Sequence, residues 1–243
     1  MTRYKPNRPE IILGMVDSGV SRTQEKFIKN GRRFMAGEDG DIYHAETVGD
    51  PMGHGSEVAR IIRHHAPDVM ICNAQVFERC GVTSAAIVAT AIDWLVDGGV
   101  SMINLSLGLQ NDRVILRESC ERAISQGVLL VASSPAQGAA VYPSAYPGIL
   151  RATGDARCDV SDMSFLDNAQ ADFGGCPRML NEPGLSDQGL NDQENNKVGG
   201  ASMGCAHISG QIAAYLQGGG QKASVGDWLV RQAKYVHSER RTV

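Results

Sequence analysis

The chain has 243 residues, 42% of them hydrophobic and 21% charged, with a formal net charge of −4. That is enough apolar material for one full core, so a single domain over 1–243 is expected. No basic stripe suggests nucleic acid, and no apolar run reaches the roughly 18 residues of a membrane span.

The N-terminal stretch MTRYKPNRPE is polar and lacks the apolar centre of a signal peptide, which predicts a cytoplasmic location. Residues 10–16, Glu-Ile-Ile-Leu-Gly-Met-Val, form an almost unbroken apolar run that stops at Asp17-Ser18-Gly19. A short run of this kind predicts a strand buried on both faces of a parallel sheet. Asp17 then lies at the carboxyl end of that strand, where open α/β sheets place ligands and chemistry. The alternative is an Asp that merely starts a turn.

Residues 20–50 are polar and Gly-rich, with weak strands at Arg33–Met35 and Asp41–Ala45. Gly49-Asp50-Pro51-Met52-Gly53 reads as a loop. From His54 onward, Val58, Ile61, Ile62 and His65 recur at helical spacing. His54 therefore opens a helix, and glycines on both sides let another group approach it closely.

Strands follow at Val69–Val76, Val100–Leu107, Val128–Ala132 and Ile149–Thr153. Helices at Ser84–Val96 and Asp112–Gln126 separate the first three. This alternation predicts an α/β fold: three layers, a doubly wound and mostly parallel sheet, helices on both faces. Residues 155–197 predict loops and a hairpin near Met163–Phe165 and Ala171–Phe173. The acidic residues at 155, 159, 162, 167 and 172 read as a solvated face. Calcium is conceivable there, but they lack a regular calcium-loop pattern, so no metal and no cofactor is expected. The cysteines at 72, 80, 120, 158, 176 and 205 have no CxxC spacing and read as free thiols, with a Cys158–Cys176 bridge as the alternative. A helix begins near Ser202 and stops at Gly218-Gly219-Gly220. A last helix is predicted over Asp227–His237, followed by a basic tail.

The stretch Gly199-Gly200-Ala201-Ser202-Met203-Gly204-Cys205-Ala206-His207 places Ser202 in the first turn of an apolar helix. Unpaired N–H groups and the positive end of the helix dipole lie there. A serine at that point is either a helix cap or a nucleophile whose oxyanion the helix end favours. With Asp17 and His54 it completes the set that acyl transfer needs: a hydroxyl, a base that takes its proton, and a carboxylate that orients the base. Asp, His, Ser is one of the known chain orders for such a triad.

These segments resemble the subtilase family of subtilisin-like serine proteases. The resemblance rests on Val16-Asp17-Ser18-Gly19-Val20, on Gly53-His54-Gly55-Ser56-Glu57-Val58-Ala59, and on Gly200-Ala201-Ser202-Met203 through His207. Ile103-Asn104-Leu105-Ser106-Leu107-Gly108 is similar to the family's substrate-binding strand, and Tyr142-Pro143 with Tyr146-Pro147-Gly148 to another of its segments. The resemblance runs in order from about residue 10 to 217. It implies Asp17 as orienter, His54 as general base and acid, and Ser202 as nucleophile. It implies a peptide or protein substrate paired along Ser106, Leu107 and Gly108, with Ser133, Ser134 and Pro135 walling the first specificity pocket. No nucleic-acid or membrane partner is implied, and oligomeric state is left open.

The sequence departs from the family at the oxyanion hole. Ala136 stands where the family carries an Asn amide donor, leaving the Ser202 N–H and, one residue on, the longer Gln137 as candidates. Glu57 replaces a second histidine and either raises the basicity of His54 by its charge or is simply solvated. With sixteen residues before Asp17, no inhibitory pro-segment is expected. The implied function is a serine endopeptidase acting through an acyl-enzyme, including the case of a dedicated peptide-maturation or leader-cleaving protease. The alternative is a catalytically impaired pseudo-protease that binds peptides.

Overall fold

The computed structural model describes residues 10–78, 81–180 and 200–237. The elements run β1 (Ile12–Asp17), β2 (Ile28–Ala36), β3 (Ile42–Ala45), α1 (His54–His65), β4 (Met70–Gln75), α2 (Ala85–Asp97), β5 (Met102–Leu105), α3 (Val114–Ser125) and β6 (Leu129–Ser133). They continue with β7 (Leu150–Gly154), β8 (Met163–Phe165), β9 (Phe173–Gly175), α4 (Gly200–Gln217), α5 (Val225–Gln232) and β10 (Tyr235–Val236). All ten strands join one sheet in the order β10-β8-β9-β7-β6-β5-β1-β4-β2-β3. Pairing is parallel except for β2 with β3 and β8 with β9.

Alternation along the central strands separates two cores. Leu13, Met15, Ile71, Met102 and Val131 face a cluster built with α1, α4 and α5. Val16, Cys72, Ile103, Leu105, Leu130 and Ala132 face the opposite cluster, built with α2 and α3. Strands covered on both faces need continuous apolar sequence, which is what the run ending at Asp17 supplies. Ser84 caps α2, its hydroxyl accepting the Ile87 N–H at 3.2 Å. Helix α4 is buried without a break from Met203 to Ala213. Its Gly204 lets the helix lie on β7, because a Cβ there would stand 2.1 Å from the Thr153 carbonyl oxygen.

The three-layer, doubly wound and mostly parallel architecture is as the sequence predicts. The chain's end is not. The expected helix over Asp227–His237 is α5 over Val225–Gln232 followed by β10. Val225 and Leu229, one turn apart, bury the helix, and Ala233, the next residue on that face, still packs on the core but has already turned extended and ends it. Tyr235 and Val236 then pair with Ser164 and Phe165 as a short edge strand, while Lys234 reaches Asp162 at 2.7 Å. The hairpin forms with β9 two residues later than predicted.

The acidic residues of this region do not form one solvated face. Asp155 pairs with Arg157, Asp159 with Arg178, Asp162 with Lys234 and Asp172 with Arg151. Cys158 and Cys176 are both buried free thiols, so the alternative bridge is absent. Among the described residues no group of His, Cys, Asp and Glu has the arrangement to hold a metal ion, and no helix is long and apolar enough to cross a membrane. Gly199, Cys80 and the basic tail lie outside the described residues.

Candidate active site

Strand β1 sits near the middle of the sheet, between β4 and β5. After β4 the chain crosses through α2 to the other side of β1, so the strand order reverses there. The carboxyl end of β1 thus opens into the crevice where such sheets bind ligands. Asp17 lies at that end with its side chain fully buried.

The Asp17 Oδ1 atom accepts the Ser18 N–H at 2.7 Å and His54 Nδ1 at 2.7 Å, and the Ser18 hydroxyl oxygen stands 3.2 Å from it. A carboxylate can only accept, so His54 Nδ1 carries the proton and the neutral ring keeps its lone pair on Nε2. The His54 side chain is 15% exposed, enough for that second nitrogen to meet a substrate group.

Local sequence makes the approach possible. Gly53 takes φ +76° ahead of α1, a conformation that costs glycine little. Gly55 lets the first turn of α1 rest on the Gly19 turn, since a Cβ at Gly55 would be 2.2 Å from the Gly19 carbonyl oxygen and 3.0 Å from Asp17 Oδ1. Burial pulls the pKa of His54 down, but the charge and hydrogen bond of Asp17, then the charge of Asp50, outweigh it and leave the ring more basic than usual.

Ser202 is the third residue of α4 and is half-buried. Its hydroxyl donates to the Ser106 carbonyl at 3.2 Å, and the Ser106 hydroxyl donates back to the Ser202 carbonyl at 3.3 Å. Beneath them Asn104 is wholly buried. It donates to the Ser106 hydroxyl at 2.9 Å and accepts from Ser209 at 2.8 Å and from the Cys205 thiol at 3.3 Å. Burial pushes the Cys205 thiol pKa up to about 12, so it stays a thiol.

Just past β5, Ser106 and Leu107 are buried and Gly108 is exposed. Ser133 donates to the Leu107 carbonyl at 3.2 Å, which joins the two predicted walls. Ser134 is tied inward, through its N–H to Ala152 at 2.8 Å and its hydroxyl to Gln170 at 2.6 Å. Pro135 is half-buried, and Ala136 and Gln137 lie on an exposed bend. Among the described residues the Gln137 amide has no hydrogen-bond partner.

The structure therefore brings Asp17 to His54, Ser202 to Ser106 and Ser133 to Leu107. In this arrangement the Ser202 hydroxyl is turned to Ser106, not to His54. Glu57 is only 12% exposed on its side chain and receives two bonds from Arg60, both 2.8 Å, and one from the Leu180 N–H at 2.9 Å. It is a structural clamp, and the charge that adds to Asp17 at His54 belongs to Asp50. Sequence reading passed over Asp50 and Ser18 as ordinary turn residues. The available signal was Asp50-Pro51 four residues before the histidine, a pattern that favours side-chain capping of the turn. A cleft of about 1260 Å³ runs along α1, lined by Phe27, Gly53, Glu57, Arg60, Arg178 and Leu180 among others. Gly53, the neighbour of His54, lines it, but His54 and Ser202 do not.

Comparison with known proteins gives the class first: this is the fold and sequence pattern of a serine protease. The chain belongs to the subtilase family, whose Peptidase S8 model matches residues 8–242. It is 25% identical to subtilisin DY of Bacillus licheniformis over 222 residues, covering 84% of this chain and 76% of that protein. It is 27% identical to subtilisin Savinase of Lederbergia lenta over 219 residues, with the same coverage. The match to the minor extracellular protease Epr of Bacillus subtilis is 30% identical over 152 residues and spans 58% of this chain but only 22% of Epr. Among solved structures, a lanthipeptide protease superposes with a TM-score of 0.62 at 19% identity, covering 90% of this chain and 79% of that one.

Proposed function

We propose that the protein is a serine endopeptidase in which Ser202 attacks the scissile carbonyl, His54 takes its proton and Asp17 orients His54. The observation that carries this reading is the 2.7 Å bond from His54 Nδ1 to the buried Asp17 carboxylate. It leaves a basic Nε2 at the site's surface. The Ser202 hydroxyl leaves Ser106 by rotation about χ1 and gives its proton to Nε2 as its oxygen bonds to the carbonyl carbon. Collapse of the tetrahedral intermediate passes that proton to the leaving amine and leaves an acyl-enzyme, which water hydrolyses by the same route. The substrate backbone lies along Ser106–Gly108 as an added strand. The first pocket is walled by Ser133, Ser134 and Pro135. The oxyanion is held by the Ser202 N–H at the start of α4, with Ala136 offering no side-chain donor.

The biological task we assign is maturation of a peptide precursor by removal of a leader. A reduced oxyanion hole fits a dedicated substrate held by many contacts better than general digestion, and the superposable structure is that of a lanthipeptide protease. One observation favours a second reading, a peptide-binding pseudo-protease: the Ser202 hydroxyl is engaged with Ser106. A fluorophosphonate probe separates the two. Labelling at Ser202 that is lost in Ser202→Ala supports the protease; a folded wild type that is never labelled refutes it.

A further inference from the structure

Asp50 has no place in the triad, yet its carboxylate gathers five hydrogen bonds between the turn after β1 and the start of α1. Oδ1 accepts from the Ser18 hydroxyl at 2.8 Å, the Met52 N–H at 3.1 Å and the Gly53 N–H at 2.9 Å. Oδ2 accepts from the Ser56 N–H at 2.7 Å and the Ser56 hydroxyl at 2.6 Å. Gly53 stands at the N-cap of α1 and has no side chain to offer. Asp50 supplies the acceptor that the helix end lacks, three residues upstream of the usual place.

The link to the chemistry runs through Ser18. Its hydroxyl has one proton and two carboxylates within reach: Asp50 Oδ1 at 2.8 Å and Asp17 Oδ1 at 3.2 Å. The shorter bond takes the proton. The same oxygen accepts the Gly55 N–H at 3.0 Å, beside His54. Asp17 Oδ1 is also the atom that holds His54 Nδ1. Without Asp50 the Ser18 proton turns to Asp17 and competes with His54 for that oxygen, while the first turn of α1 loses its acceptor.

We infer that Asp50 is a positioning residue for the Asp17–His54 pair: it draws the Ser18 hydroxyl off Asp17 and pins the helix end that carries His54. It touches neither substrate nor reacting atoms and acts through Ser18 and the α1 backbone. The inference rests on the protease reading above, but it concerns the imidazole itself and can be read there independently.

The test uses the full chain with two variants and two readouts. The first readout is the rate of fluorophosphonate labelling against pH; the second is the titration of the His54 ring by NMR. In Asp50→Asn the labelling rate should fall roughly ten- to a hundredfold, the scale of a misplaced catalytic group. Its acid limb and the His54 titration should both move to lower pH, because a negative charge and a well-held Asp17 contact are lost together. A purely structural weakening lowers the labelled fraction and leaves the limb where it was. Ser18→Ala keeps the Asp50 charge and its contacts to α1. It should slow labelling because the Gly55 N–H loses its acceptor, and it should leave the limb in place because no hydroxyl remains to compete at Asp17; it decides the matter if Asp50→Asn does not fold. A wild-type labelling rate in Ser18→Ala, or a wild-type rate and wild-type His54 titration in a folded Asp50→Asn, overturns the inference. An unlabelled wild type whose His54 titration still shifts in Asp50→Asn refutes the protease reading and leaves the positioning of His54 standing.

Discussion

Acid should destabilise this protein through a histidine pair that takes no part in the chemistry. His65 closes α1 and His207 lies in α4, and His65 Nε2 meets His207 Nδ1 at 2.8 Å. His207 Nε2 faces the Arg178 carbonyl at 3.4 Å, which makes His207 Nδ1 the acceptor and His65 Nε2 the donor. Burial, then the neighbouring rings of His207 and His64, push the His65 pKa from 6.5 down to about 3. Burial is also the main cause that lowers His207 to about 4, with the Arg178 carbonyl resisting and His64 adding to the fall. A histidine whose folded pKa lies below its unfolded value costs nothing above the unfolded value. Below it, stability is lost until the folded pKa is reached. Between pH 7 and pH 5 the unfolded chain protonates both rings and the folded chain neither, which costs about 2 kcal/mol per ring and on the order of 4 kcal/mol together. That is a large part of the roughly 5–15 kcal/mol that holds a domain folded. Urea unfolding followed by tryptophan fluorescence at the two pH values measures the loss directly. His65→Gln keeps a donor for His207 but removes one titrating ring, so its loss should be smaller than that of the wild type by about 2 kcal/mol. His54, whose shift has the opposite sign, is common to both proteins and cancels in the comparison. An equal loss in wild type and variant would refute the reasoning.

Two further substitutions probe the site. On the proposed reading, in which Ala136 takes the place of the family's oxyanion donor, Ala136→Asn supplies the missing amide. It should raise kcat, up to the roughly 10²-fold that such a donor contributes in subtilisin itself. No gain in steady-state kinetics would mean that another group already completes the hole. Gly55→Ala drives a methyl group into the Gly19 carbonyl at 2.2 Å and toward Asp17. It should cost about 1–3 kcal/mol in denaturant unfolding, and because the first turn of α1 must lift away, labelling of Ser202 should fall more than stability does.

The parts of this molecule legible in its sequence are those whose causes are local. An apolar run closed by Asp17-Ser18-Gly19 reads as a buried strand with an acid at its end, and β1 is that strand. His54 between two glycines signalled a close approach, and the approach is real: Gly55 packs on the Gly19 turn and His54 reaches Asp17. Ser202 in front of an apolar helix fixed its own place in the first turn of α4. What stayed hidden depends on partners far apart in the chain. Asp50 is a common turn residue until Ser18, 32 positions earlier, is folded against it. The His65–His207 bond joins residues 142 positions apart, and neither looks unusual among its neighbours. Strand β10 exists only because β8 offers an edge, and two residues carry too little periodicity to announce it. Glu57 read as a solvated charge or a modulator of His54, because Arg60 and the backbone of Leu180 could not be seen closing over it.

The same distinction separates the groups that react from the groups that aim them. Helix α4 packs its apolar face on the sheet, and apolar packing alone tolerates small rotations about the helix axis. Directional bonds do not. Asn104 on β5 holds Ser209 and Cys205, and Ser106 exchanges bonds with Ser202. His207 is tied to α1 through His65. These contacts lie on successive turns of α4, and together they fix its rotation and therefore the direction of the Ser202 side chain. On the other side of the cleft, Asp50 and Ser18 do the same for α1 and His54. Each buried polar group has a desolvation cost that satisfied hydrogen bonds offset only in part. An all-apolar interior would avoid that cost. Only the polar one makes the angle between two helices, and so between a hydroxyl and an imidazole, a property of the fold.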